Sequence, residues 1–294
     1  MGLKVIIPGA TFTDPTLPIL YPDPLVNVGT LLLVDFGRAE THSLSSVPAH
    51  GAQLGNIAWE QAATLLGGGS LATLSPTFQN TFIGQPTMGT VERTSKKGLH
   101  VITSQTSMDS AGRYASITLP DALRDYLWTN LPGRSFYTSV WGRHTRLATQ
   151  GTDALGHLAA VSSPTGNYAN ILYKGALWVP AAGGTFVGQR SVPPAEALGN
   201  FYAAGAQNGW VGTKPGTAAQ SECVHWFGAR GVYEGFQRNK AASGIWYRIY
   251  IEDLTASGRT FAAVDAADKA LYDVAFGAGG RFAADAFTSP ATLP

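Results

Sequence analysis

The side chains of this 294-residue chain whose type and spacing could do chemistry are mostly rings and guanidinium groups on strand-like runs. Trp246, Arg248 and Tyr250 are two apart in IWYRIYIED, as are Trp141 and Arg143 in FYTSVWGR. Strand side chains alternate between faces, so each set shares one. Trp, Tyr and Arg dominate interface energies, and flat rings also stack on sugars. These five are therefore the candidate contacts for a protein partner or a glycan. The alternative for Trp141 and Trp246 is packing against helices or loops of the same chain. Arg143, Arg146 and Arg248 are expected to reach water, an acidic partner or a local carboxylate.

Catalytic constellations are missing from the sequence. It holds no G-x-S-x-G elbow, H-E-x-x-H pair, Walker A loop or dinucleotide fingerprint. The stretch Gly209 to Lys214 imitates a phosphate loop without its Lys-Ser/Thr ending. Glycoside hydrolysis needs two facing carboxylates, ~5–5.5 Å apart for retention. Glu252 and Asp253 are adjacent and would point to opposite faces, and Glu222 and Glu234 are isolated. The six histidines form no i, i+2 or i, i+4 pair, and His144 and His225 read as hydrogen-bonded strand residues. Asp109, Asp153, Asn167 and Asn170 are scattered oxygen donors that do not make a calcium loop. Cys223 is alone, which excludes an intrachain disulfide and a cysteine-based zinc site. No catalytic residue, metal or cofactor is assigned.

Net charge is +1, and no basic run exceeds Lys96-Lys97. Nucleic acid is not an expected partner. Charged residues are 13% of the chain against 45% hydrophobic. The surface is then neutral and polar, or much of it is covered by partners; 35 Gly, 17 Pro and 11% aromatics favour the second. The opening MGLKVIIPGATF lacks the apolar region of a signal peptide, and no run approaches the ~18 apolar residues of a membrane span. The expectation is a soluble chain made in a reducing cytoplasm.

The elements that must hold these residues follow from periodicity. Residues 1–29 read as an extended arm, with Pro8, Pro15, Pro18, Pro22 and Pro24 forbidding a helix. Its Phe12, Leu17, Ile19, Leu20 and Tyr21 need a surface to lie on. The tail 286–294 repeats the theme, Phe287-Thr288-Ser289-Pro290 echoing Phe12-Thr13-Asp14-Pro15. Phe287 thus joins the candidate assembly residues. Between them, 30–285 reads as one domain. Thr30 to Phe36 fits a strand buried on both faces, Asn56 can cap a helix ended by Gly67, and Thr90 to Ile117 reads as several strands. A short helix follows Pro120, and further strands are expected at Phe136–Arg143, Ala169–Val179 and Cys223–Phe227. Residues 180–214 are expected to be a long excursion with one helical turn near Ala195 to Leu198. In the closing stretch, Ile245, Tyr247, Ile249 and Ile251 are expected to face the core. Trp246, Arg248, Tyr250 and Glu252 would face outward. A turn at Asp253 to Gly258 then leads into a helix with Phe261, Val264, Ala267, Leu271 and Val274 on its apolar face.

This closing stretch carries a resemblance. RIYIEDLTASGRTFAAVDAADKALYD resembles the end of LamG-like, concanavalin A-like jelly-roll domains: an x-R-I-Y strand, a leucine turn, a small residue and a short helix ending in A-L-Y. Arg248, Ile249, Tyr250, Leu254, Ser257, Val264, Leu271 and Tyr272 fill the pattern. Gly258-Arg259-Thr260 stands where the family has an acidic helix opening. Chains with this ending and a short FT-x-P-type tail are also similar to virion proteins of tailed bacteriophages.

The resulting expectation is an all-β, concanavalin A-like jelly-roll sandwich with a C-terminal helix, a few short helices and extended Pro-rich ends. Its expected role is structural: a homo-oligomeric tailed-phage virion component (tail fibre, tail tip or capsid decoration) that binds copies of itself and other virion proteins. The resemblance supplies the phage label. The alternative is a lectin-like module binding host surface polysaccharide, and a polysaccharide-degrading enzyme ranks third. An exposed aromatic platform would mark the lectin; rings buried between subunits would mark the virion component.

Overall fold

The computed structural model describes residues 23–149, 157–162, 168–173, 185–190, 198–209, 225–230 and 234–294. Phe12, Leu17, Ile19, Leu20 and Tyr21 lie outside them. Strand β1 (Thr30–Asp35) is followed by helices α1 (Trp59–Leu66) and α2 (Leu71–Leu74). Strands β2 (Thr77–Asn80), β3 (Gly89–Arg93), β4 (Leu99–Thr103) and β5 (Tyr114–Thr118) lead to α3 (Asp121–Asn130) and β6 (Phe136–Arg146). Then come β7 (His157–Ser162), β8 (Tyr168–Tyr173), β9 (Thr185–Gln189), β10 (Gly199–Asn208), β11 (His225–Gly228) and α4 (Glu234–Gln237). The chain closes with β12 (Ser243–Asp253), α5 (Leu254–Ser257) and α6 (Phe261–Phe276).

All the pairings are antiparallel. A seven-stranded sheet runs β3-β4-β12-β6-β10-β9, with β1 also on β12. A three-stranded sheet, β11-β5-β2, covers one face of it, and β7 and β8 pair separately. The architecture is thus mostly β, sandwich-like, with few short helices. Between the sheets lie Leu32, Val34, Phe36, Phe78, Ile117, Val140, Phe227, Trp246 and Ile249, closed off by Leu123, Leu127 and Trp128 of α3. On the other face of the large sheet a second core joins Tyr137, Trp141, Tyr202, Tyr247 and Tyr250 to Val264, Tyr272 and Ala275 of α6.

Strand β12 is the hub. It hydrogen-bonds β6 along one edge, while β1 and β4 share its other edge in sequence. All eleven of its residues are buried. The amphiphilic outer face expected from its alternation does not exist, because α6 covers it. The alternation itself breaks: Trp246 pairs with Gly142 and Arg248 with Trp141, leaving Tyr247 as an extra residue. Such a bulge sets two residues against one and flips every later side chain to the other face. Trp246 therefore points between the sheets, whereas Arg248 and Tyr250 join Tyr247 under α6.

Other expectations met mixed outcomes. β1 is buried at every position, as its apolar run requires. Asn56 does not cap α1; it is a buried strut, accepting from the backbone N–H of Leu33 and Ala58 and donating to the carbonyls of Leu31 and Leu74. The expected excursion at 180–214 contains β9 and the ten-residue β10, a full partner of β6. Its GNFYAAGAQN composition, poor in β-branched residues, hid the strand. Helix α6 is rolled away from its expected apolar face: Asp265, Asp268, Tyr272 and Ala275 are buried with Val264, while Val274 is 75% exposed.

Close strand packing needs glycine at one place in particular. A Cβ on Gly142 of β6 would collide with the ring of Phe201 on β10. Gly142→Ala is expected to lower stability by about 1–3 kcal/mol, read as a lower urea midpoint with an unchanged slope.

Candidate functional site

The second core is polar at its centre. Arg248 is 1% exposed on β12, and a guanidinium there requires counter-charges. Its two terminal nitrogens donate to both carboxylate oxygens of Asp23 at 2.7 and 2.8 Å. Asp35, at the end of β1, lies 3.6 Å away and takes a second fork from Arg281 at 2.5 and 3.1 Å. Arg38 approaches Asp23 at 4.0 Å. The Arg248 guanidinium also lies 4.8 Å from the ring centre of Trp141, its cross-strand partner. Burial alone would raise the Asp23 pKa, but the hydrogen bonds and charge of Arg248 hold it below the usual carboxylate range.

Beside this cluster, Tyr137, Ser139 and Trp141 project from one face of β6 toward α6. All three donate to Asp268, Tyr137 at 3.1 Å and Trp141 at 3.0 Å. Burial pushes the Asp268 pKa up, opposed by Arg248 and these donors. Arg190 forks onto Asp265, one turn earlier on α6, at 2.6 and 3.0 Å. Buried hydroxyls and indole N–H groups need acceptors, and this need rolls α6 so that its aspartates face inward.

Further carboxylates are similarly engaged. Glu252 accepts from Tyr250 at 2.7 Å and pairs with Arg259. Asp253 accepts from Tyr126 and Arg134 at 2.8 Å and caps α5 through Ala256 N–H. Adjacent on opposite faces, Glu252 and Asp253 serve two separate structural networks. Among the described residues, no three His, Cys, Asp or Glu side chains converge as metal ligands.

The five contact candidates therefore separate. Trp141, Trp246, Arg248 and Tyr250 are at most 1% exposed within the single chain. They form neither an open aromatic platform nor a surface for a second subunit, because α6 and the smaller sheet cover them. Trp246 donates to Nδ1 of His225 at 2.7 Å and packs against Phe227 at 4.9 Å. Full burial depresses the His225 pKa to about 3, so the ring is neutral and accepts that bond. Arg143 lies 4.9 Å from the ring centre of Phe287. Phe287 thus docks on its own chain, edge-on to His100 at 5.1 Å.

Around Phe287 the tail is strapped down. Thr288 donates twice to Glu92, at 2.8 and 2.6 Å, and Arg146 donates to the carbonyls of Pro290 and Leu293. Asp285 accepts from Tyr247 and from the Lys96 N–H, both at 2.7 Å.

One concavity opens beside the Arg248 cluster, with a volume of about 390 Å³. Asp23, Asp35, Arg281 and Asp268, central to this region, were not singled out by sequence spacing. A signal was present nonetheless. Arg248 in IWYRIYI and Asp35 in TLLLVDF are lone charges in apolar strands, and each needs a partner from elsewhere in the chain. No protein-family model, curated protein or solved structure matches the chain.

The Asp23 carboxylate binds protons more weakly when folded than when unfolded. Its stabilising contribution is present above the unfolded value near 3.8 and is lost as pH falls through the lower folded value. Asp23→Asn should therefore cost about 3–5 kcal/mol at pH 7. The gap from wild type should shrink at pH 3 and below, as measured by guanidinium unfolding at both pH values.

Proposed function

We propose that the protein is a structural component of a tailed-phage virion, acting through protein–protein assembly as a homo-oligomer. Its β-sandwich is assigned to the concanavalin A-like jelly-roll type on the resemblance of residues 248–272. The observation that carries the assembly reading is the root of the N-terminal arm. Asp23 is held by two hydrogen bonds to a guanidinium in the core, and Leu25 and Val26 are buried behind it. The apolar, proline-punctuated sequence of residues 1–22 is thus joined to a rigid anchor. The charge distribution also fits. Asp35, Glu252, Asp253 and Asp268 have no exposed surface, so a chain with only 13% charged residues spends several of them inside.

The anchor defines the test. Removing residues 1–24 would delete Asp23 and leave Arg248 without its main counter-charge, confusing unfolding with loss of assembly. A version beginning at Pro22 keeps the clamp. The full chain is expected to give an oligomer whose mass does not change with concentration by light scattering. The shortened chain should be a monomer with an unchanged thermal midpoint. Monomers from both would overturn the reading.

A further inference from the structure

We infer that Thr145, His100 and Glu92 form a nucleophile–base–carboxylate relay that hydrolyses carboxylic esters beside the C-terminal tail. Glu92 on β3 and His100 on β4 are opposite each other in the ladder, and Thr145 lies near the end of β6. The His100 ring meets Glu92 Oε1 through Nδ1 at 2.8 Å and Thr145 Oγ1 through Nε2 at 2.8 Å. An ionised carboxylate only accepts, so Nδ1 carries the proton and Nε2 is left bare. The bare nitrogen accepts from the Thr145 hydroxyl. This is the polarity that activates a hydroxyl nucleophile.

Two features set this chain of hydrogen bonds apart from an ordinary buried histidine. Thr145 is the extra residue of a bulge, since Ser243 of β12 pairs with Arg146 and Gly244 with His144. Bulges re-aim side chains beside active sites. Thr145 is half-buried whereas His100 is fully buried, so the nucleophile is the member that meets solvent. The second feature is Arg143, whose guanidinium has no hydrogen-bond or carboxylate partner among the described residues. It lies 4.9 Å from the ring centre of Phe287, which in turn meets His100 at 5.1 Å. An uncommitted donor beside the relay supplies what the oxyanion of a tetrahedral intermediate needs. The tail completes the site. Phe287 shields the imidazole, and Thr288 donates to both oxygens of Glu92. Burial would raise the Glu92 pKa, but the bonds from His100 and Thr288 hold it below the usual carboxylate range. Burial lowers the His100 pKa despite Glu92, so the ring is a neutral base at pH 7.

In the reaction, Thr145 Oγ1 attacks the acyl carbon while His100 Nε2 takes its proton. The imidazolium gives that proton to the departing alcohol as the ester C–O bond breaks. Water then attacks the acyl-threonine, again losing a proton to Nε2, and the carboxylic acid leaves as that proton returns to Thr145. This activity goes beyond the assembly reading and is tested apart from it. The full-length protein would be treated with an alkyl fluorophosphonate, which bonds phosphorus to the nucleophilic oxygen and expels fluoride, and the adduct mapped by peptide mass spectrometry. Hydrolysis of p-nitrophenyl acetate would be followed in parallel. Wild type, Thr145→Ala, Thr145→Ser, Glu92→Gln and Thr149→Ala would be compared, with circular-dichroism melts confirming folding. Expected are an adduct on Thr145, a faster one in Thr145→Ser, and neither adduct nor turnover in Thr145→Ala. Thr149→Ala, altered at an exposed neighbour, should match wild type. Glu92 positions His100, so Glu92→Gln should lower kcat at least about a hundredfold with KM unchanged. No adduct in either wild type or Thr145→Ser, or hydrolysis undiminished in Thr145→Ala, would overturn the proposal.

Discussion

A charge buried in the middle of a central strand sets the terms for this structure. Arg248 cannot be taken out of water without compensation, and the carboxylates paired with it come from the N-terminal part of the described chain. Asp23 comes from the segment before β1 and Asp35 from the end of β1, while Arg281 follows α6 and shares Asp35. One guanidinium thereby ties the start of the described chain to the hub strand and, through Asp35, to the region after the last helix. Such a network stabilises less than its count of bonds suggests, since each group was solvated before folding. Displacing any one member would leave another charge buried and unpaired.

The same logic explains α6. An apolar stripe alone would have turned Leu271 and Val274 inward. The sheet beneath presents a phenol, a hydroxyl and an indole N–H at alternate positions of β6, and Asp268 answers all three. Hydrogen-bond demand therefore fixes the roll of the helix. Val274 is left in solvent at the edge of a concavity walled on its other side by guanidinium groups.

The two ends of the chain differ in what they offer assembly. Phe287 is held between Arg143 and His100, and the tail around it hydrogen-bonds to β3, to Ser104 just after β4, and to β6. Whatever it contributes to a larger particle, it does so as part of this subunit's own surface. The likeness between FTSP and FTDP thus describes two peptides of similar composition, one of which is placed by side chains that the sequence separates by more than a hundred residues.

By itself the sequence determined the strands built from β-branched and aromatic residues, the break at Gly67, and the position of α6, because these depend on propensity and on periods of two or 3.6. It also marked Arg248 and Asp35 as lone charges within apolar runs. Only the tertiary structure decided which faces are covered. A bulge at Tyr247 moved Arg248 and Tyr250 to the opposite face from Trp246, and α6 closed over them. β10 became a strand because β6 offered it an unpaired edge and small residues let it pack closely, not because of its own composition. The partners of Arg248 lie 225 and 213 positions away in the chain. Local pattern can show that a buried charge needs a counter-ion; the folded topology alone selects which carboxylate supplies it.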